Sequence, residues 1–137
     1  MILADTGPLV AVFDPADHSH VTCVNRLNAI REPLVTTVPV LTEAFHLLTP
    51  GSPGAHELMA LVSEGGLGLW HVDDSGLARM FELMRQYMDL PMDMADASLV
   101  TAAELLGLHQ VFTLDRNDFN TYRIRRGHRH VAFEVLS

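Results

Sequence analysis

The sequence predicts an α/β fold, a three-layer sandwich in which helices cover both faces of a central, mostly parallel sheet. Short apolar runs that are typical of strands alternate along the chain with amphipathic helical patterns, and such alternation is typical of parallel sheets. Apolar residues make up 48% and charged residues 19% of the 137 residues, a composition typical of globular proteins. We therefore expect residues 1–137 to form a single domain.

The first half of the chain contains two short apolar runs that predict strands, Ile2–Ala4 and Leu34–Thr37. The sequence Asp-Thr-Gly-Pro that follows the first run is typical of a turn. Apolar residues then recur at helical spacing in three segments. The predicted helices are 18–31, which Asp17 would cap, 41–48, and 55–62, which Ser52 and Pro53 would begin.

The second half continues the alternation. Leu67–Val72, Gln110–Leu114 and Val131–Val135 predict three more strands, with a short helical turn before the last of them. Two helices lie between the first two of these strands, one with a methionine-rich apolar face and one that Asp93 would cap and Gly107 would end. The methionine-rich face is interpreted as core packing and consists of Leu77, Met80, Phe81, Met84 and Met88.

Two acidic residues stand at the carboxyl ends of predicted strands. Asp5 follows Ile2–Ala4, and Asp115 follows Gln110–Leu114. Open parallel sheets bind ligands beyond the carboxyl ends of their strands, so we expect both side chains in one cleft. For Asp5 the alternative is a turn cap. Asp118 competes with Asp115 for the place in the cleft, and the other of the two would be a turn or helix cap.

Two further acids lie in helical patterns. Asp96 precedes Leu99 by three positions, so it borders the buried face near a helix N-terminus, where the dipole favours negative charge. Glu43 lies beside an apolar stripe, where an exposed helical glutamate is the ordinary alternative. Clustered carboxylates are costly unless they are paired or bind metal. A hard-metal site with phosphodiester chemistry is therefore predicted at Asp5, Glu43, Asp96 and Asp115.

The distribution of charge is uneven. The net charge is −8 and every basic residue is Arg, which argues against a protein that binds nucleic acid through bulk charge. Residues 1–74 carry two Arg against nine acids, whereas residues 115–137 carry five Arg against three acids. This Arg-rich segment predicts either a solvated surface turn or a local contact with phosphate or a partner.

The chain carries no feature of an exported or membrane protein. Its N-terminus is apolar but begins without a basic region, and Asp5 interrupts the apolar run. No apolar run approaches the length of a membrane span. The single Cys23 cannot form an internal disulfide and is expected to be buried. We therefore expect a cytoplasmic protein with no membrane partner.

Four segments of the chain resemble the PIN-domain family, and within it the VapC-type toxins of bacterial toxin–antitoxin pairs. The segments are ILADTGPLVAVFD, VPVLTEAFHLL, PMDMADASLVTAAELLG and VFTLDRNDF. They occur in the family's order and spacing. The resemblance runs over residues 2–119, nearly the whole chain, and no family motif covers the Arg-rich segment.

The resemblance implies an α/β sandwich and a ribonuclease that depends on Mg²⁺, with Mn²⁺ as a substitute. Asp5, Glu43, Asp96 and Asp115 match the family's acidic quartet, and Thr6 matches the small hydroxyl residue after the first acid. In the implied mechanism Asp5, Asp96 and Asp115 ligate the metal, and Glu43 binds a second metal or orients the attacking water. The resemblance also implies an RNA substrate, a cognate antitoxin and a homodimer.

Three other functions are compatible with parts of the sequence. A catalytically silent protein of the same fold would bind RNA or a partner without cleaving anything. A nuclease of the same fold could act on DNA. The triplet Asp5-Thr6-Gly7 also occurs in aspartic proteases, but that fold is almost all β, and this chain has at least five helical patterns.

Overall fold

The computed structural model covers residues 1–137 and contains seven strands and seven helices. The strands are β1 (Ile2–Ala4), β2 (Leu34–Thr37), β3 (Leu67–Trp70), β4 (Gln110–Phe112), β5 (Arg123–Arg126), β6 (Arg129–Ala132) and β7 (Glu134–Leu136). The helices are α1 (Thr6–Phe13), α2 (His20–Ala29), α3 (Val38–Leu47), α4 (Pro53–Ser63), α5 (Asp74–Gln86), α6 (Met94–Leu106) and α7 (Arg116–Thr121).

Five strands form a parallel sheet in the order β3-β2-β1-β4-β7, and β5 and β6 form a separate antiparallel pair. Helices flank the sheet: α1 contacts α2, α3 and α4, whereas α5 packs on α6. The predicted α/β sandwich with a central parallel sheet is therefore confirmed. The same architecture excludes the mostly β fold of the aspartic proteases.

The centre of the sheet positions the site. Strand β1 lies between β2 and β4, and Ala4 is directly opposite Phe112. Because β1 and β4 are parallel, the residues that follow them, Asp5 and Thr113, leave the sheet side by side at the carboxyl edge.

Helix α6 runs through the interior. Its residues 97–103 are all buried, so it is covered on every side, as expected for a helix that is apolar all round. Ala97, Ala102 and Ala103 have no exposed surface, and their small side chains let neighbouring elements approach closely. This burial holds the N-terminal turn of α6 rigidly beside the carboxyl edge of the sheet.

The structure corrects the predicted turn at Asp-Thr-Gly-Pro. These residues begin helix α1, and the Asp5 side chain accepts a hydrogen bond from the Thr6 backbone N–H as its N-cap. Pro8 is compatible with this position because N–H groups in the first turn of a helix have no intrahelical partner. The following run Leu-Val-Ala-Val-Phe is apolar throughout and has no helical periodicity, which is why its pattern did not indicate a helix.

The C-terminal region also differs from the expectation. One strand was predicted at Val131–Val135, but β6 ends at Ala132 and β7 begins at Glu134. Strand β5 was not predicted, because its sequence Arg-Ile-Arg-Arg offers only one apolar residue. The strands predicted at 67–72 and 110–114 are shorter than expected and are β3 and β4.

The predicted helix ends agree better with the structure. The side chains of Ser52 and Asp93 each accept a backbone hydrogen bond as N-caps, and Gly107 ends α6 with a positive φ of 69°. Helix α2 is shorter than the predicted 18–31, and its cap position is Ser19 rather than Asp17. The Asp17 carboxylate instead accepts a hydrogen bond from the Ser19 N–H at 2.8 Å.

Two predictions from composition can be compared with the structure. Cys23 is buried with no exposed surface, as expected for a small apolar side chain. Every helix is too short or too polar to serve as a membrane span.

Gly54 provides a test of the packing between α1 and α4. A Cβ atom there would lie 2.3 Å from the Phe13 carbonyl oxygen. Gly→Ala inside a helix usually stabilises a protein by roughly 0.5–1 kcal/mol. We expect Gly54→Ala instead to lower the free energy of unfolding by about 1–3 kcal/mol, measured by urea denaturation.

Gly7→Ala is the matched control, because a Cβ atom at this other helical glycine would meet nothing closer than 3.4 Å. We expect it to leave the free energy of unfolding unchanged or slightly raised. An equal loss in both variants would contradict the argument from close packing.

Candidate metal centre

A cleft of about 460 Å³ opens at the carboxyl edge of the sheet, beyond β1 and β4. Six carboxylates line it, and only two of its eleven lining residues are hydrophobic. The acids are Asp5, Glu43, Asp93, Asp96, Asp115 and Asp118. The structure thus brings together all four acids of the predicted quartet, and it adds Asp93 and Asp118 to them.

Asp5 is the most deeply placed of these acids, with 7% of its surface exposed. Its Oδ1 accepts a hydrogen bond from the Thr6 N–H at 2.8 Å, and its Oδ2 accepts one from the Thr113 hydroxyl at 2.7 Å. Burial raises the pKa of Asp5 to about 6, although the bonds from Thr113 and Thr6 oppose the shift. The negative charges of Glu43 and Asp93 also raise this pKa.

Asp96 lies in the first turn of α6. Its backbone N–H donates to Asp93 Oδ1 at 2.8 Å, and its Oδ2 accepts a hydrogen bond from the Tyr122 hydroxyl at 2.8 Å. Burial, followed by the charges of Asp5 and Asp93, raises the pKa of Asp96 to about 8. Without a cation, this carboxyl group therefore keeps its proton to a higher pH than an ordinary aspartate.

Asp115 and Asp118 both reach the cleft, so neither is merely a remote cap. The Asp115 carboxylate caps α7 by accepting from the Asp118 N–H at 3.3 Å. Oxygen atoms of Asp96, Asp115 and Asp118 lie within 4.8 Å of one another. Burial and the neighbouring Asp115 carboxyl raise the pKa of Asp118.

Glu43 approaches the cleft from another element. It lies in the middle of α3, where it is half-buried and lines the cleft. Helix α3 is fixed by its own cap, because the Thr37 hydroxyl accepts from the Val40 N–H and also bonds to Ser98 of α6 at 2.6 Å. Glu43 is therefore held beside the other acids by the packing of α3 on α6.

The donor set fits a hard divalent cation. All the acidic ligands offer oxygen, and no Cys or His lines the cleft, which is the chemistry that Mg²⁺ and Mn²⁺ prefer. Thr6 lines the same cleft, and its buried hydroxyl has no hydrogen-bond partner in the protein. Burial, and after it the negative charges of neighbouring acids, raises the pKa values of Asp5 and Asp96, and a bound cation would oppose both effects.

Two residues of the site were missed by the sequence reasoning. Thr113 is the first residue after β4, and its place at the carboxyl end of a parallel strand could have indicated it. Its hydroxyl links the site, because it donates to Asp5 and accepts from the Asp115 N–H at 3.0 Å. Tyr122 lies 26 residues from Asp96, and no sequence pattern relates the two.

Comparison with known proteins identifies similar sequences and folds. The sequence model of the PIN domain matches residues 2–124. Ribonuclease VapC26 of Mycobacterium tuberculosis is 28% identical over 125 residues, which span 89% of this chain and 92% of that protein.

Several solved structures share the fold. The Mycobacterium tuberculosis toxin VapC20, described as cleaving the sarcin–ricin loop, aligns with a TM-score of 0.74 and 18% identity, covering 81% of this chain and 87% of that one. A toxin–antitoxin complex from Klebsiella pneumoniae aligns with a TM-score of 0.67 and 18% identity, covering 88% of this chain and 92% of that one. FitAcB from Neisseria gonorrhoeae aligns with a TM-score of 0.58 and 19% identity, covering 87% of this chain and 91% of that one.

The raised pKa values predict how stability depends on pH in metal-free protein. Between about pH 4 and pH 8 the folded state binds protons that the unfolded state has released, so the free energy of unfolding falls as pH rises. We expect Asp96→Asn to flatten this slope and to be more stable than the wild type at about pH 8. Urea denaturation in EDTA measures both effects.

Glu57→Gln, which removes an exposed acid of α4 outside the cleft, is the control and should keep the wild-type slope. A free energy of unfolding that rises over the same pH range would contradict the burial of ionisable carboxyl groups in the cleft.

Tyr122→Phe tests whether the hydroxyl holds the Asp96 carboxylate in place. The ring is fully buried and packs edge-on against Tyr87 and Phe119, so Phe should preserve the fold. Partners that orient a metal ligand typically contribute 10–100-fold to affinity. We expect the Kd for Mn²⁺, measured by electron paramagnetic resonance, to rise about tenfold or more.

Tyr87→Phe is the matched control. It removes a hydroxyl from the same aromatic cluster, but that hydroxyl accepts from the Arg123 N–H at 3.1 Å and contacts no acid. Equal Mn²⁺ affinities in the two variants would show that the Tyr122 hydroxyl does not position a ligand.

Proposed function

The chain belongs to the PIN domain family, and we propose that it is a divalent-metal-dependent endoribonuclease that hydrolyses RNA phosphodiester bonds. The observation that carries this proposal is the cleft at the carboxyl edge of the sheet, where six carboxylates converge with no basic residue among them and where the pKa values of Asp5 and Asp96 are raised. The ribonuclease name of its relative VapC26 supports RNA as the substrate.

We propose Mg²⁺ as the cation, with Mn²⁺ as a substitute. A bound divalent cation supplies Lewis-acid stabilisation of phosphate charge and a nucleophilic water at neutral pH. Asp5, Asp96 and Asp115 hold it, and Asp118 joins them because its oxygens lie beside those of Asp96 and Asp115. The proposal therefore includes both Asp115 and Asp118 rather than one of them.

Other residues of the chain prepare these ligands. The Thr113 and Tyr122 hydroxyls fix the carboxylates of Asp5 and Asp96 in single orientations, which lowers the entropy cost of placing ligands around a cation. Glu43 faces the same cleft from α3 and makes no hydrogen bond to the other acids. We assign it the orientation of the attacking water.

The VapC relative and the structures of similar fold support a toxin role with protein partners. We propose a small antitoxin as the physiological inhibitor, since structures of similar fold include toxin–antitoxin complexes. An apolar groove of about 610 Å³ adjoins the cleft, shares Glu43 and Asp93 with it, and exposes Val38 and Met94. This groove suits an apolar segment of the antitoxin, with an Arg reaching the carboxylates. A homodimer is part of the same proposal.

The proposed activity is tested by incubating purified protein with single-stranded RNA and Mg²⁺. We expect cleavage that EDTA abolishes, because the carboxylates cannot activate water without a cation. Asp5→Asn and Asp96→Asn should each lower the cleavage rate by about 100-fold or more, and both should unfold at or above the wild-type temperature because repulsion is relieved.

Glu57→Gln serves as the control acid outside the cleft and should cleave at the wild-type rate. Full activity in Asp96→Asn, or cleavage that persists in EDTA, would refute the metal mechanism. Faster cleavage of single-stranded DNA than of RNA would show that DNA is the preferred substrate. A folded wild type that cleaves neither would leave a catalytically silent binding protein.

A further inference from the structure

The Arg-rich segment forms a surface that the proposed catalytic chemistry does not use. Residues 123–132, which comprise β5, a turn at Gly127 and β6, are called the basic ribbon below. It stands outside the central sheet. The PIN domain match ends at residue 124, so most of the ribbon lies beyond the matched part of the chain.

The alternation of side chains gives the ribbon one basic face. Ile124 is fully buried, so its neighbours Arg123 and Arg125 point the other way and are exposed. His130 is opposite Arg125 in the antiparallel register and is also exposed. Arg123, Arg125 and His130 therefore share the outer face. Arg129 is opposite Arg126 in the register, on the other face, but it is exposed at the tip of the ribbon beside the turn.

The ribbon is firmly attached to the rest of the protein. The backbone N–H of Arg125 donates to Glu104 of α6 at 2.9 Å, and that of Arg123 donates to the Tyr87 hydroxyl. The guanidinium of Arg126 turns inward and donates to the Leu108 carbonyl. These contacts hold the outer arginines on a fixed backbone, which lowers the entropy cost of binding a ligand there.

The outer positive charges form no ion pair within the protein, although the charge of Arg125 acts on the nearby Glu104 carboxylate. No ion pair of the structure involves a residue of the ribbon. Glu104, the carboxylate that contacts β5, already accepts two hydrogen bonds from the Arg79 guanidinium, at 2.9 and 3.0 Å. The guanidinium groups of Arg125 and Arg129 thus remain available to an anion, and guanidinium binds phosphate oxygens well.

The ribbon begins at the acidic cleft. Tyr122, whose hydroxyl donates to Asp96, immediately precedes Arg123. From there β5 follows α6 to Glu104, which is eight residues and about 12 Å further along the helix axis than Asp96. Beside Arg125 lies a polar hollow of about 340 Å³, which is also lined by Ser75, Thr101 and the paired side chains of Arg79 and Glu104. A strand that leaves the cleft along α6 therefore meets a concave surface with Arg125 at its edge.

We propose that the basic ribbon binds the sugar–phosphate backbone of the RNA strand next to the cleavage site, with Arg125 and Arg129 contacting phosphates. The inference rests on the proposed ribonuclease function. The protein carries a net charge of −8, and its cleft is lined by six carboxylates. Affinity for a polyanion therefore requires a local cationic surface, and this segment holds the highest density of Arg in the chain.

The test is RNA binding by the double variant Arg125→Gln/Arg129→Gln. Fluorescence anisotropy of a labelled single-stranded RNA of mixed sequence is measured in EDTA, over a range of salt concentrations. Each phosphate contact on a single strand contributes about 0.7 to the slope of log K against log salt. We expect the variant to lose about 1.4 from this slope and to bind roughly tenfold more weakly at about 0.1 M salt.

The control Arg31→Gln/Arg85→Gln makes the same change in net charge at two exposed positions away from the ribbon and should keep the wild-type slope. Arg125→Lys/Arg129→Lys should restore most of the affinity, because a phosphate contact needs the charge. Thermal unfolding should be the same in all these variants, since none of the four guanidinium groups bonds to a side chain of the protein.

Cleavage in Mg²⁺ separates the two proposals. If the wild type cleaves RNA and the ribbon variant keeps the wild-type Kd for RNA and the wild-type salt slope, RNA binding by the ribbon is refuted. The ribonuclease proposal then still stands. Wild type that binds RNA through the ribbon but does not cleave it would overturn the ribonuclease alone. A wild-type affinity too weak to measure, or a ribbon variant that loses only the affinity for an antitoxin protein, would also overturn RNA binding by the ribbon.

Discussion

Repulsion among the carboxylates at the carboxyl edge of the sheet is the constraint on which the site depends. The fold opposes this repulsion by directing three helix N-termini at the cleft: Asp5 caps α1, Asp93 caps α6 and Asp115 caps α7. The positive ends of these helices and their free N–H groups favour negative charge. The compensation is incomplete, because burial, and after it the charges of Asp5 and Asp93, still raise the pKa of Asp96 to about 8. The remaining imbalance is what a divalent cation would remove.

The same acids therefore serve the fold and the site. An N-cap typically contributes about 1 kcal/mol to stability, so Asp5, Asp93 and Asp115 stabilise the starts of their helices even without any ligand. Asp96 and Asp118 are different, because each lies in a first turn and caps nothing. Substitution of a capping acid changes both the local helix and the charge of the cleft. Substitution of Asp96 changes the charge of the cleft without removing a helix cap. The side-chain partner of Asp96 is the buried Tyr122 hydroxyl.

Prediction from sequence succeeded where the signal was local or periodic. The alternation of strands and helices indicated the parallel sheet, and the position of Asp5 and Asp115 after apolar runs indicated their convergence. Helix α1 was missed because its apolar run has no amphipathic period, and β5 because Arg dominates it. Tyr122 could not be found, since its contact with Asp96 depends on the tertiary packing of Phe119 and Tyr87 around its ring. The choice between Asp115 and Asp118 likewise depended on the geometry of one turn of α7.

The separation of opposite charges within the chain has a physical reason. An Arg placed among the carboxylates of the cleft would form charge-assisted hydrogen bonds with them, lower their pKa values and compete with a cation for the same oxygens. A surface that attracts RNA must therefore stand near the cleft without entering it. The buried ring of Tyr122 and the bond from the Arg125 N–H to Glu104 keep β5 in such a position. Arg79 binds both oxygens of Glu104, and although the charge of Arg125 also acts on that carboxylate, neither Arg125 nor Arg129 forms an ion pair within the protein.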